Sequence, residues 1–582
     1  MATRAPMFWV VGSWGRGRMG NALSYLRRIA TIAMAWAFAL SAAAPSYAQA
    51  PPSAQELNPA QRAPAPTTAP TSRGDILSAP EPGPCPLRSS TLTFTLSNVT
   101  FSGADTLTNE DLAPAYAGLI GKTVPVSTLC DIRDRAAQIL FHKGIFARVE
   151  IPQQKISKGQ VNFEVIEAFI ARVRVLGGDT NAQAKVEDYI EMLRGMKPFN
   201  IEDAQRYLFL ASDVPGVTIS ATLKPAGKER GAIELDITVV SYRPYDALVN
   251  VENYGSTEVG QFGALLRVDL NSFTPWGDRT TFVDYQTFDL KKQNVAQVLE
   301  QVRIGDDGLL ANVSLSDGQT HPLGVLTPLQ LFSLSYVGDF NLTYPIVRRR
   351  YENLSIAGGF NFIAEKVDAA SSVLSRDNLR IFYLSTSGSE SFRWDIPVWL
   401  QGELALRKGI EALGASPSSD PLLSRPGGNP AAFVVRSDGA ARIGPWYDFT
   451  ANLNYQAQYS DSPLLTYEQQ AIGNFTIGRG YDPASLNGDR AIAGSAELHY
   501  SPMPADWPVT ASPYIFYDIA RVWNRTPASQ NRQVRSLGGG LTFQVTQRLR
   551  IDGFYAHPMD RISDVAPTKP GDRLFLSVTA SY

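Results

Sequence analysis

Cysteine is nearly absent from this chain of 582 residues, with Cys85 and Cys130 the only two. That excludes a disulfide-rich scaffold and a cysteine-built zinc site. Histidine is also scarce: His142, His321, His499 and His557 are far apart and have no metal-ligand spacing, so no metal is expected. No Gly-x-Ser-x-Gly elbow, phosphate loop or other catalytic constellation occurs, so the chain does not read as an enzyme and no cofactor is expected. An excess of one charge sign is missing as well. Lys and Arg number 53 against 55 Asp and Glu, a net charge of −2, which gives no basic field for nucleic acid. Beyond the N-terminus there is no run of about 18 apolar residues, so no transmembrane helix is expected. Hydrophobic residues make up 44% and mean hydropathy is −0.12, as in a soluble protein. A membrane barrel has the same average, because its lipid-facing and lumen-facing residues alternate.

The N-terminus reads as a secretory signal peptide, residues 1–48. Arg27 and Arg28 precede an apolar run from Ile29 to Ala44, and Ser46-Tyr-Ala48 and Ala48-Gln-Ala50 offer small-x-small cleavage sites. Translation from Met1 or from Met19 is compatible with this, and a membrane-anchor helix is the alternative reading. Export places Cys85 and Cys130 in an oxidising compartment, where a disulfide would close a loop of about 45 residues and contribute ~3–4 kcal/mol on the chain-entropy model. Two free thiols is the alternative. Residues 49–88 are rich in Pro, Ala, Thr and Ser and read as an extended linker. Within them only Ser53 to Arg62 could be helical, and Pro59 interrupts it.

Residues 89–167 have a β-α-α-β-β order. Leu92 to Val99 is strand-like, Thr108-Asn-Glu-Asp111 offers a helix N-cap, Val126 to Phe141 suits a helix, and Ala147 to Ile151 and Val161 to Ile166 suit strands. Residues 168–242 repeat it: Ile170 to Leu176, helices Ala184 to Arg194 and Ile201 to Leu210, then Val217 to Leu223 and Ile233 to Val240. A repeat of about 75 residues suggests serial binding modules. Gly144-Ile-Phe146, Ile151-Pro-Gln-Gln154, Val165-Ile-Glu167 and Asp213-Val-Pro-Gly-Val217 resemble polypeptide-transport-associated (POTRA) domains. Ala168 stands where the family usually has Gly.

From 243 to 582 helix signals nearly vanish and apolar residues alternate with polar ones, as in Phe449, Ala451, Leu453, Tyr455, Ala457 and Tyr459 against Thr450, Asn452, Asn454, Gln456 and Gln458. These 340 positions allow roughly 16 strands of a membrane barrel. An exported β-sandwich is the alternative. The last residues, Leu574 to Tyr582, place Leu574, Leu576, Val578, Ala580 and Tyr582 on one face, which resembles the terminal strand of outer-membrane barrels.

Ile477-Gly-Arg-Gly-Tyr-Asp482 lies among these strands. Gly478 and Gly480 permit a tight fold-back, and Arg479 offers a rigid fork for a carboxylate. Asp518, in Tyr514-Ile-Phe-Tyr-Asp518, shares a face with Tyr514 and Phe516, and a charge facing lipid would cost several kcal/mol, so Asp518 is expected in the lumen. Glu497, between Ala496 and Leu498, is expected there too. The motif, Asn487-Gly-Asp489, Asn253-Tyr-Gly-Ser256 and Tyr344-Pro345 together resemble the two-partner secretion (TpsB-type) transporters, related to haemolysin secretion/activation proteins, within the polypeptide-transporting outer-membrane barrel superfamily.

That resemblance implies a mainly β protein: a transmembrane antiparallel barrel of about 16 strands after two periplasmic α+β POTRA domains. It implies a monomer that exports a TpsA-type adhesin or haemolysin, with outer-membrane lipid around it, and with barrel assembly machinery and periplasmic chaperones as partners during biogenesis. Arg479 is expected to pair with Asp518, and Pro152, Gln153, Gln154, Pro215 and Gly216 are candidate cargo contacts. The family usually carries an N-terminal plug helix, for which the linker gives little support. An outer-membrane assembly factor and a passive solute channel are the competing readings.

Overall fold

The computed structural model comprises two units, 1–46 and 47–582. It describes residues 53–59 except 55, and 84–582 except 105, 257, 371, 475–476, 504–506, 508, 526–531 and 563–568. The expected signal peptide and most of the expected linker lie outside these residues.

The first small domain has β1 (Thr93–Thr95), β2 (Asn98–Ser102), β3 (Thr123–Pro125), α1 (Thr128–His142), β4 (Ala147–Glu150) and β5 (Gln160–Glu167). Its sheet runs β2-β5-β4, and α1 covers one face with Leu129, Ile132, Ala136 and Leu140, spaced as a helix stripe. Thr108 and Asp111 bond reciprocally, but they cap a turn and not the expected helix. Pro114, at the start of the short 3-10 segment Ala113–Tyr116, and left-handed Gly118 and Gly121 beyond it keep that region from forming an α-helix. Cys85 and Cys130 are bonded, tying the start of the domain to α1.

The second domain has β6 (Phe169–Leu176), α2 (Thr180–Glu191), α3 (Ile201–Ser212), β7 (Val217–Pro225) and β8 (Ala232–Tyr242), with sheet order β6-β8-β7. Asp179 and Asn200 cap the two helices by accepting the N–H of Asn181 and Glu202. Ile170, Val186, Tyr189, Phe199, Leu208, Leu235 and Ile237 form its core.

Sixteen antiparallel strands then close a barrel. They are β9 (Tyr245–Glu252), β10 (Gly263–Asn271), β11 (Arg279–Thr287), β12 (Gln293–Ile304), β13 (Leu309–Thr320), β14 (Leu331–Arg348), β15 (Glu352–Ala369), β16 (Ser372–Phe392), β17 (Val398–Gly409), β18 (Phe433–Trp446) and β19 (Phe449–Ser460). A small hairpin, β20 (Gln470–Ile472) with β21 (Leu486–Gly488), interrupts the sequence. The wall resumes with β22 (Arg490–Tyr500), β23 (Thr510–Trp523), β24 (Arg532–Thr546), β25 (Leu549–Pro558) and β26 (Arg573–Ser581). Along β23, Tyr514, Phe516 and Asp518 point inward and are buried, while Ile515, Tyr517 and Ile519 are exposed on the outer surface. Exposed Trp276, Trp394, Trp446 and the stacked pair Tyr245 and Tyr582 mark the end nearest the small domains, as in an interfacial aromatic girdle.

The closing seam is short. β26 pairs with β9 only over Ser577–Ser581 and Leu248–Glu252. Beyond it the Asn253 side chain continues the ladder, accepting from Leu576 N at 2.7 Å and donating to Leu574 O at 3.1 Å.

The second small domain is docked to the barrel's near rim. Arg348 forms a two-pronged ion pair with Asp213, both contacts at 2.6 Å. Arg206 on α3 donates to Pro345 O at 2.7 Å and to Asp307 and Tyr344, which explains the Tyr344-Pro345 block. Ser272 donates to Pro215 O, and a Cβ on Gly216 would lie 2.2 Å from Arg243 O. Pro215 and Gly216 are therefore part of the joint. Pro215 is buried there and Gly216 is half-buried, a setting in the joint that the expectation of a cargo contact did not include.

The linker expectation also needs correction at 53–59, which lie inside the barrel. Ser53 and Glu56 form a capping box: Ser53 N and Oγ donate to Glu56 Oε2 at 2.8 and 3.0 Å. Leu57, 1% exposed, packs against inward-facing Ile363, Leu379 and Ile381, and Asn58 accepts from Gln297. A short capped turn needs no long helical stretch, so Pro59 is tolerated where the turn ends. A short segment thus sits in the lumen in the position of a plug, although the composition of the linker argues against one.

Candidate functional site

β19 and β22 are joined by residues 461–489, which fold back into the barrel. The hairpin β20/β21 forms the stem, and the motif lies between its strands. Gly473 (φ +136°) has no room for a side chain, since a Cβ there would lie 2.0 Å from Asp482 O. Gly478 (φ +96°) uses the left-handed region open to glycine. Ile477 packs with Ile472, Leu486, Ala520, Val522 and Val534, so the loop has its own small core against the wall.

Arg479 sits in a socket of acids. Its Nη2 reaches Asp518 Oδ1 at 2.6 Å, its Nε reaches Oδ2 at 3.1 Å, and Nη1 reaches Glu497 Oε1 at 2.5 Å. Its guanidinium lies 3.6 Å from the centre of the Phe516 ring. Asp518 is 0% exposed and accepts further bonds from the backbone N–H of Gly478 and Arg479 and from the Ser495 and Ser536 hydroxyls. A buried pair with every lone pair engaged is the arrangement that offsets desolvation. Glu497 is held on its other side by His499 at 2.8 Å, and His499 stacks on Tyr514. Histidine spacing alone gives no hint of that role. His499 lies two residues from Glu497 on one strand, and period two places both inside.

The other motif residues reach different strands. Gly480 lies against Ser536 and Pro558, where a Cβ would come within 2.9 Å of both. Tyr481 places its hydroxyl 2.8 Å from Arg535 O and accepts from Asp560 N. Asp482 pairs with Arg573 of β26 at 2.7 Å. Under the loop lies an aromatic floor of Tyr254, Tyr514, Phe516, Phe554 and Phe575. Gly538 and Gly540 make room for it: their absent side chains would strike Phe516 and Tyr514. Gly538 and Gly540 thus serve the packing of these rings.

Among the small-domain candidates, Pro152 is partly buried and Gln153 is exposed. Gln154 pairs its amide with Asn162 N and O of β5, at 2.8 and 2.7 Å, as a strand neighbour would. The rest of the lumen is polar around a cavity of about 650 Å³, lined in part by Arg267, Arg279, Asp339, Glu403 and Arg407. Among the described residues no group of His, Cys, Asp and Glu is placed to hold a metal, and no helix is long and apolar enough to cross a membrane.

Comparison with solved structures finds the same fold in CdiB from Escherichia coli (TM-score 0.67, 15% identity, covering 88% of this chain and 94% of that one). CdiB from Acinetobacter baumannii is also similar, with TM-score 0.61, 15% identity and coverage of 97% and 98%. BamA from Haemophilus ducreyi lacking POTRA domains 1–3 follows, with TM-score 0.52, 14% identity and coverage of 84% and 100%. A comparison with curated protein sequences finds no match. Residues 94–168 match the ShlB-type POTRA domain. Residues 231–543, more than half of the chain, match haemolysin secretion/activation protein ShlB/FhaC/HecB, and the chain belongs to that family of outer-membrane transporter barrels.

Proposed function

We propose that this chain exports an unfolded exoprotein, the partner in a two-partner secretion pair, through its barrel. The observation that carries the reading is the loop folded into the lumen, with Arg479 locked between Asp518 and Glu497. A solute channel needs no buried ion pair to hold a loop across its own path. The pair would keep the loop in a transport-competent position, and the family membership supports the reading.

The POTRA domains, facing the periplasm in this reading, would receive the cargo. Among the described residues the outer edges of β7 and, beyond Ile170, of β6 have no strand partner, and an extended peptide added there gains backbone hydrogen bonds with little demand on sequence. The first domain offers β2 and β4 in the same way, with exposed Gln153 near β4. The protein would act as a monomer in the outer membrane.

The short seam favours one competing reading, an assembly factor that opens between β26 and β9. Quantitative proteomics of supernatant, surface and outer membrane, in a deletion strain and its complemented parent, separates the two. Export predicts loss of one or two large exoproteins, restored by the wild type but not by an Arg479→Ala variant that inserts normally. Broad loss of other barrels with intact secretion would favour assembly.

A further inference from the structure

The block Asn487-Gly-Asp489 has so far no role, yet Asp489 is one of the most completely engaged acids in the molecule. It is 0% exposed, accepting from Leu464 N at 3.0 Å, Gln469 Nε2 at 3.2 Å and Arg525 N at 2.8 Å. Its charge partner is Arg425, with Nη1 at 2.5 Å from Oδ1. Arg425 comes from the connection between β17 and β18, residues 410–432, on the barrel end away from the POTRA domains.

This connection first runs along the part of β16 that extends past β17. Ile410 N bonds Arg380 O, Ser416 N bonds Asn378 O, and Arg376 N bonds Leu422 O. Its tip then turns into the barrel. Leu423 is buried with Leu57 of the N-terminal segment and with Leu465 and Tyr467 of the folded-back loop. Ser424 N donates to Asp377 at 2.9 Å, and Thr466 N donates to the Ser424 hydroxyl at 3.1 Å. Arg425 also reaches Leu464 O, and Asn429 N reaches Pro463 O at 2.9 Å. One segment therefore touches the wall, the plug and the stem of the export loop.

We infer that residues 410–432 form a strap that closes the distal mouth, and that Arg425 is a second positioning residue for the folded-back loop, acting through Asp489. The strap rests on the export reading for its purpose, but its closing action does not. Displacing Arg425 leaves Asp489 buried without its cation, so strap and stem are released together. The plug loses Leu423, one wall of the pocket that holds Leu57.

Two measurements test this, and neither needs the cargo to be identified. In planar bilayers, Arg425→Gln and a variant lacking 412–421 are expected to raise the time-averaged conductance at least several-fold over wild type, with Arg425→Lys intermediate. Wild-type conductance in all three, with normal heat-modifiable folding, overturns the strap. The second measurement keeps the latch intact, in case those variants do not fold. Leu423→Cys is probed on whole cells with a bulky, impermeant maleimide, counting only reaction at the new thiol. Protection at rest and labelling during export are expected, and full labelling at rest refutes the closed strap. If proteomics finds no exported partner but Leu423→Cys is protected and Arg425→Gln conducts, the export reading fails and the strap stands.

Discussion

Arg479 and Asp518 meet as fork and carboxylate, Nη2 to Oδ1 at 2.6 Å and Nε to Oδ2 at 3.1 Å, and the same Oδ2 also accepts the backbone N–H of Gly478 and Arg479. The relationship is therefore not symmetrical. A cation at 518 would face two backbone donors. The exchange Arg479→Asp with Asp518→Arg keeps the charges opposite but leaves those N–H groups buried and unsatisfied, at ~1–3 kcal/mol each. The doubly exchanged protein is expected to insert at the wild-type level and to export less than a tenth as much. Recovery of export to near wild type would show that simple charge pairing is sufficient. Arg479→Lys, which keeps the charge but loses the fork, should fall between wild type and Arg479→Ala in the same secretion assay.

His499 gives a finer test of the socket. It hydrogen-bonds Glu497 and stacks on Tyr514, two functions that substitution can separate. His499→Gln keeps a donor near Glu497, and export within about two-fold of wild type is expected. His499→Phe keeps the ring but removes the donor, costing ~1–2 kcal/mol in loop retention and about ten-fold in export. Loss of export in His499→Gln with none in His499→Phe would mean that the stacked ring matters and the hydrogen bond does not.

How far these residues could be read beforehand depended on periodicity. Strict alternation sorts Tyr514, Phe516 and Asp518 onto one face without any knowledge of the barrel, and those three do face inward. The closed sixteen-strand barrel and the β-α-α-β-β order of the second small domain follow from the same kind of pattern, whereas the first domain has a turn and a short 3-10 segment in place of its first expected helix. Arg425 and Leu423 lie in a connection rich in Pro, Ser and Gly, where no period assigns a face. The Ser53-x-x-Glu56 box is visible in sequence, but its Pro-rich surroundings conceal it, and its burial depends on a wall more than three hundred residues away. Pro215 and Gly216 look like an exposed turn because the rim that covers them, Arg243 and Ser272, belongs to another domain.

The capped turn at 53–59 should be a weakly held plug. Leu57→Ala removes most of a buried side chain, and Glu56→Ala removes a capping partner worth ~1 kcal/mol. Both variants are expected to raise bilayer conductance, Leu57→Ala more than Glu56→Ala. Unchanged conductance in both would mean that the segment does not limit flow.

The Cys85–Cys130 bond closes a 45-residue separation and should stabilise the first POTRA domain by ~3–4 kcal/mol on the chain-entropy model. Replacing both cysteines with serine is expected to leave barrel insertion intact. Limited proteolysis should then cut residues 84–167 at a temperature well below that needed for wild type. If export falls in parallel with that cleavage, the first domain has to be folded for transport.

Glu365 presents the opposite case, a group whose removal should help. It is buried on the inner wall, neither carboxylate oxygen has a hydrogen-bond partner among the described residues, and it lies directly across the β15–β16 ladder from Asp377. Two acids facing each other on neighbouring strands destabilise a sheet, and an unsatisfied buried acid adds its desolvation cost. Asp377 cannot relieve the strain by turning away, because Ser424 holds it through both N–H and hydroxyl. Glu365→Gln keeps the shape and supplies a donor toward Asp377. The temperature at which the heat-modifiable band shifts on gels should therefore rise, by an amount equivalent to ~1–2 kcal/mol. Glu365→Leu should also tolerate burial but offers Asp377 no donor, so it should gain less. A lower transition temperature for Glu365→Gln would show that the carboxylate is held by a favourable interaction and is not a source of strain.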